Sequence, residues 1–289
     1  MGQLYGFHIG VEKYGDIYAN SVNRLNGCYN DMTVVGAIAR RAGAKSEHIK
    51  LMRDARREDV EEHMAKLVKD LREGDMLLFS FAGHGYPIYN ESKDPEDGKM
   101  DESICLSDAI FSDDNLFDLL ATFAAGVRLV CFFDSCHSGT MSQFQYPPPF
   151  ASSRPVAEEG IGPHLLQSRQ VYPGQYRGNH TGLVDASGNE GYLPAAARKP
   201  ISAVGICYSA CGDGPFDFAY ERDGQGLFTA ATQDIVSKQP GVSYLELAKL
   251  LEKEDRLIEV DQTPMVTPLP SLADAKRRAF YRRERFLQL

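Results

Sequence analysis

The sequence predicts an α/β fold, a three-layer αβα sandwich built on a central, mostly parallel sheet of six to eight strands. Two observations carry that expectation. Apolar runs of strand length alternate with segments of helical periodicity, the pattern of a parallel sheet with helices on its faces. Two of those runs end in polar, glycine-bearing turns, Gly83-His84-Gly85 and Asp134-Ser135-Cys136-His137-Ser138-Gly139. In such sheets ligands bind beyond the carboxyl ends of the strands.

The elements follow in order. Leu4 to Val11 mixes aromatic and β-branched residues and reads as a buried strand, closed by the Tyr14-Gly15 turn. Asn30 and Asp31 open a helix whose apolar positions, Met32, Val35, Ile38 and Ala39, recur at helical spacing up to Gly43. Leu51 and Met52 form a short strand, and a helix runs from Arg57 to Leu71. Met76 to Phe81 is a second buried strand, and Gly83 to Lys99, rich in Gly, Pro, Asp and Asn, reads as a loop. A helix over Leu116 to Ala125 leads into a third buried run, Val127 to Phe133.

From Met141 to Pro200 the composition shifts to Pro147-Pro148-Pro149 and repeated Gly and Ser, which reads as a long exposed loop. So long a stretch inside a compact domain implies a function for it. A further strand is expected over Ile201 to Tyr208, helices over Gly226 to Val236 and Tyr244 to Leu257, and an extended segment over Gln262 to Pro268. The expected organisation is one domain over 1–289, in which a linker, 141–200, joins a large-subunit-like region, 1–140, to a small-subunit-like region, 201–289.

Composition excludes several classes. With 43% hydrophobic residues in 289 the chain has the makings of a buried core. The 31 basic against 40 acidic residues give a charge of −9, which suits neither nucleic acid nor an anionic membrane but does suit a basic partner. No apolar run reaches membrane-spanning length and no signal-peptide pattern opens the sequence, so a cytoplasmic location is expected. The six cysteines form no regular ladder, which argues against a disulfide framework, and Cys207 and Cys211 have no second pair to complete a zinc site.

The chemistry concentrates at the two strand-end turns. A cysteine attacks a carbonyl as its thiolate, and an imidazole on a neighbouring strand can take its proton, which pairs Cys136 as nucleophile with His84 as base. Attack on an amide also generates an oxyanion, for which the backbone N–H groups of Gly85 and Cys136 are the candidates. A single cysteine at a strand end is most often buried and inert, and a single histidine in a glycine-rich loop is most often structural. The conjunction of both turns on one sheet edge favours catalysis. His137, adjacent to Cys136, points to the opposite side of an extended segment and is the poorer base.

His84 stands 52 residues before Cys136, a spacing that resembles the caspases. The segment Asp134-Ser135-Cys136-His137-Ser138-Gly139 resembles metacaspases and bacterial orthocaspases rather than true caspases. Leu25-Asn26-Gly27-Cys28-Tyr29-Asn30-Asp31, the pair Asp113-Asp114, Ser209-Ala210-Cys211-Gly212-Asp213 and Gly226-Leu227-Phe228-Thr229 extend the resemblance over most of the chain outside 141–200. It implies a caspase-like fold and a cysteine endopeptidase acting on protein or peptide substrates after Arg or Lys, in a monomeric enzyme. Asp31 and Asp134 would hold the basic side chain by charge-assisted hydrogen bonds, beside Cys28 and Ala82; Ala82 stands where family members often carry serine.

The resemblance further implies no cofactor for the chemistry, with calcium as an activator at Asp101, Asp113 and Asp114. Clustered carboxylates suit such a hard cation. The family's fourth carboxylate falls at Gln143, a weaker ligand. The loop carries Arg154, Arg169, Arg177, Arg198 and Lys199 in what reads as an exposed setting, where self-cleavage is expected. The competing readings are a catalytically silent binding or scaffold module on the same fold, an aspartate-specific caspase, which Asp134 opposes, and an unrelated cysteine hydrolase.

Overall fold

The computed structural model describes residues 2–18, 22, 24–88, 101–136, 166–171, 175, 201–212, 218–269 and 284–288. The chain runs through β1 (Leu4–Gly10), α1 (Cys28–Arg41), β2 (Ile49–Arg53), α2 (Arg57–Asp70) and β3 (Met76–Ala82). Then come β4 (Gly85–Ile88), β5 (Asp101–Cys105), β6 (Ile110–Ser112), α3 (Asp113–Leu120) and β7 (Arg128–Asp134). After β8 (Leu166–Ser168) and β9 (Val204–Ser209) follow β10 (Tyr220–Arg222), β11 (Gln225–Gly226), α4 (Leu227–Lys238), α5 (Tyr244–Leu251), α6 (Asp255–Ile258) and β12 (Met265–Leu269).

The central sheet has six strands in the order β12-β9-β7-β3-β1-β2. All neighbours are parallel except β12, which runs antiparallel to β9 at the edge. β3, buried at all seven positions, shows why its sequence reads as a continuous apolar run: it has a core on each side. Leu78 belongs to one core with Val35 and Ile38 of α1, Ile235 of α4 and Leu247 of α5. Its neighbours Leu77 and Phe79 face the other way, onto Val60 and Met64 of α2 and Leu116 and Leu120 of α3. Among the described residues no helix is long and apolar enough to cross a membrane.

Two small sheets lie outside this frame, β4-β5-β6 and β11-β10-β8, both antiparallel. They correct two loop expectations. Residues 85–88, inside the segment read as a loop from Gly83 to Lys99, are strand β4, and residues 166–168, inside the linker 141–200, are strand β8. The helix expected to open at Asn30 and Asp31 opens at Cys28. Its N-cap Gly27 has no side-chain cap; instead Glu221 of β10 accepts the N–H groups of Asn26 (2.8 Å) and Gly27 (3.2 Å). The single helix expected over Tyr244 to Leu257 is two, broken after Leu251.

Candidate active site

The sheet register brings the two turns together. β3 pairs with β7 so that Ala82 stands opposite Asp134, and His84 and Cys136 each follow two residues later. The turns are in van der Waals contact, since a Cβ added to Gly85 would lie 1.7 Å from the Cys136 carbonyl oxygen. Only glycine permits that approach. His84 is buried and its main chain is fixed on both sides. Its N–H donates to Tyr14 Oη at 2.9 Å, its carbonyl accepts from Cys105 N–H at 2.9 Å, and the Tyr14 and His84 rings are 5.1 Å apart.

Cys136 is buried, and burial pushes its thiol up to about 12 against the pull of the hydrogen bonds around it. Its Sγ accepts from Ala219 N–H at 3.1 Å and lies 3.7 Å from Ser168 Oγ. Nothing in the sequence pointed to Ser168 or Ala219.

The linker residue Arg169 is the principal surprise. Read from sequence as exposed, it is fully buried, its guanidinium enclosed by three carboxylates. Nη2 is 2.5 Å from Asp31 Oδ2 and 3.2 Å from Glu221 Oε2, and Nη1 is 3.0 Å from Asp134 Oδ1. Nη1 also donates to the Asp134 carbonyl oxygen at 2.8 Å. The expected pocket carboxylates Asp31 and Asp134 therefore stand together, and Glu221 joins them. Sequence reasoning missed Glu221 because it is a single acid on a three-residue strand with no motif around it.

The N-terminus of α4 orients the carboxylates. Gly226 N–H donates to Asp31 at 3.0 and 3.1 Å, and Thr229 donates to Asp134 Oδ2 through both its N–H (2.9 Å) and its hydroxyl (2.6 Å). Helix N-termini favour negative charge. Burial first, and the charge of Asp134 in addition, nevertheless push Asp31 up to about 7 in spite of the guanidinium. The other expected lining residues are here too. Ala82 lines a small cavity with Asp31, Asp134 and Thr229, and Cys28 packs against Ala82 and Leu25, its thiol held well above the usual range by burial.

The main chain around Arg169 lies in the cleft as an extended strand. β8 pairs antiparallel with β10, and Arg169 N–H donates to the Ala219 carbonyl at 2.9 Å. The carbonyl oxygen of Arg169 accepts from Gly85 N–H at 2.9 Å, and Val171 N–H donates to the Gly85 carbonyl at 2.9 Å. A backbone paired with strands on both sides, its side chain held in a separate pocket, has the geometry of strand-addition peptide recognition.

For the expected calcium ligands, Asp101 opens β5, and Asp113, buried, and Asp114 open α3. The register pairing Ser103 with Ser112 carries residue 101 toward residues 113 and 114. The side chains of Asp101 and Asp114 lie outside the described residues, as do His137, Gln143, Arg154, Arg177, Arg198 and Lys199. Among the described residues no cluster of three His, Cys, Asp or Glu forms a metal site.

A family model described as "Metacaspase, peptidase C14 domain" matches residues 7–145, which include both turns. Metacaspase-1 of Kluyveromyces lactis is 30% identical over 88% of this chain and 63% of its own length. Metacaspase-1 of Candida glabrata is 29% identical over 82% of this chain and 67% of its own. This chain thus spans about two thirds of the length of those relatives or slightly less. Among solved structures, protein GSU0716 from Geobacter sulfurreducens superposes with a TM-score of 0.73 at 24% identity, covering 99% of both chains. Caspase-1 from Spodoptera frugiperda superposes at 0.55 and 13% identity, over 92% of this chain and 86% of that one. The two structural likenesses speak for the fold. By its sequence relatives and the matched peptidase domain, this chain belongs to the metacaspases, a family of caspase-like cysteine peptidases.

Proposed function

We propose that the chain is a cysteine endopeptidase that cuts after arginine, less readily after lysine, through Cys136 and His84, and that its own Arg169–Gln170 bond is one such site. The observation that carries this reading is the placement of Arg169, with its side chain among Asp31, Asp134 and Glu221 and its carbonyl oxygen on Gly85 N–H. The planar fork of arginine divides its two terminal nitrogens among three carboxylates; the ammonium of lysine is a single point with three donors and matches that arrangement less well. An aspartate side chain would meet only like charge.

In this reading His84 takes the Cys136 proton as Sγ attacks the carbonyl carbon. The developing oxyanion is held by Gly85 N–H and Cys136 N–H, and the Gln170 amine departs with the proton from His84. Water then hydrolyses the thioester. With the segment in the cleft, the buried thiol stands at about 12, so its proton is transferred during attack and no standing thiolate waits in the site. Sγ accepts from Ala219 N–H, a hydrogen bond that has to be given up for attack. Until the bond is cut, the segment keeps other substrates out, as in a zymogen.

Asp101, Asp113 and Asp114 are the residues that would hold an activating calcium ion, which would add positive charge and order at the end of the β5-β6 hairpin. The competing reading, a silent module with a filled cleft, draws on the raised thiol of Cys136. Fluorogenic peptides ending in Arg, Lys or Asp, offered to wild type and Cys136→Ala with calcium or chelator, separate these accounts. The expected order is Arg above Lys, with Asp untouched and the variant inactive. Hydrolysis of the Asp peptide alone overturns the pocket assignment, and silence in every arm favours the module.

A further inference from the structure

Beyond Arg169 the chain does not leave the cleft. Gln170 forms a parallel bridge with Gly85, and Val171 is fully buried. Its side chain packs into a cluster of Tyr18, Tyr86, Cys105 and Ile110, all buried. Tyr18 is fixed there by its hydroxyl, which donates to the carbonyls of Leu106 and Ala109 at 2.9 Å each. The walls are thus drawn from β4, β5, β6 and the segment after β1.

We infer that this apolar pocket is a specificity subsite for the second residue after the scissile bond, and that it selects substrates with a β-branched aliphatic residue there. The inference rests on the reading of Arg169 as the residue before that bond. The main chain fixes the register: Gly85 donates to the carbonyl before the bond and accepts from Val171 N–H, so one glycine sets both the oxyanion donor and the depth of the second primed residue. The outer edge of β4 offers no further donor, because Pro87, whose nitrogen faces the same way as that of Gly85, has no N–H. No N–H of β4 is thus left to fix the backbone beyond the residue that fills the pocket. Val, and Ile at slightly larger volume, match a pocket walled by aromatic rings, a thiol and an aliphatic side chain, whereas Asp in the same place would be buried with no cation in the cluster to pair with it.

The test uses the full chain and two kinds of peptide. A coumaryl peptide Leu-Gln-Ser-Arg, which ends at the scissile bond, reports the arginine pocket alone. Internally quenched peptides Leu-Gln-Ser-Arg-Gln-Xaa-Gly, with Xaa as Val, Ile or Asp, report the primed side. The expected result is kcat/KM for Val and Ile at least about 10-fold above Asp. In addition, Val171→Asp should slow self-cleavage after Arg169, read as the disappearance of the intact band on a denaturing gel, while the chain once cut hydrolyses the coumaryl peptide at the rate of cut wild type. Equal rates for Val and Asp, with the coumaryl peptide hydrolysed, overturn the subsite and leave the arginine reading intact. Failure to hydrolyse the coumaryl peptide removes the arginine reading and the subsite with it.

Discussion

Gly226 shows how closely the basic pocket is fitted: a methyl group there would sit 2.2 Å from Asp134 Oδ2 and 2.8 Å from Arg169 Nη1. Gly226→Ala is expected to raise KM for an arginyl peptide by about 10-fold or more with the circular dichroism spectrum unchanged, since the clash falls on the pocket and not on the core. Asp31 adds a pH dependence. It stands near 7 with Arg169 in place, raised above all by burial and lowered by the guanidinium. A guanidinium binds the carboxylate form. In Cys136→Ala/Arg169→Ala, affinity for an arginyl peptide should therefore tighten from pH 6 to 8, by up to roughly 10-fold per unit, as calorimetry would show. The residues with dedicated chemistry, Cys136, His84, Asp31 and Asp134, were legible in sequence because they sit in motifs at strand and helix ends. Tyr14 and Glu221 were not, because each acts on a partner far away in the chain, Tyr14 on His84 and Glu221 on Arg169, through one hydrogen bond.

At the scale of elements, α4 makes the pocket work by aiming its first turn at two buried carboxylates. Thr229→Val removes the 2.6 Å hydroxyl bond to Asp134 while keeping the shape of the side chain. It should cost about 1–3 kcal/mol, read as a lower thermal midpoint, and should weaken arginyl substrates more than it slows turnover. Whereas the helix expected over Leu116 to Ala125 runs over Asp113–Leu120, the strands β1, β3 and β7 and the helices α1, α2 and α4 were predicted well because their apolar positions face one of two cores. The short strands were not. β4 contains Gly85 and Pro87, residues that mark loops in sequence and edge strands in structures. β8 has only three residues and owes its conformation to β10, a pairing invisible to any local window.

For the whole molecule, the site depends on pieces from both sides of the 141–200 linker. β9 pairs with β7 and β12 with β9, and one core cluster joins Leu78 and Val130 to Ile206, Phe228 and Leu247. Cutting after Arg169 therefore should not separate the products: a denaturing gel should show two bands while gel filtration shows one peak at the size of the intact chain. The layered fold was legible in sequence because strand and helix alternate. That the linker returns to the cleft was not, since a single buried arginine in a proline- and glycine-rich stretch carries no periodic signal.

The proposed mechanism turns on Cys136 attacking a bond whose preceding residue is held by Asp31, Asp134 and Glu221. Its most direct test is covalent labelling of the self-processed chain with peptidyl acyloxymethyl ketones ending in Arg or Asp, followed by peptide mapping in a mass spectrometer. One adduct is expected, on Cys136, from the arginyl reagent and none from the aspartyl reagent. An adduct on another cysteine, or labelling of Cys136 by the aspartyl reagent in preference, would contradict it.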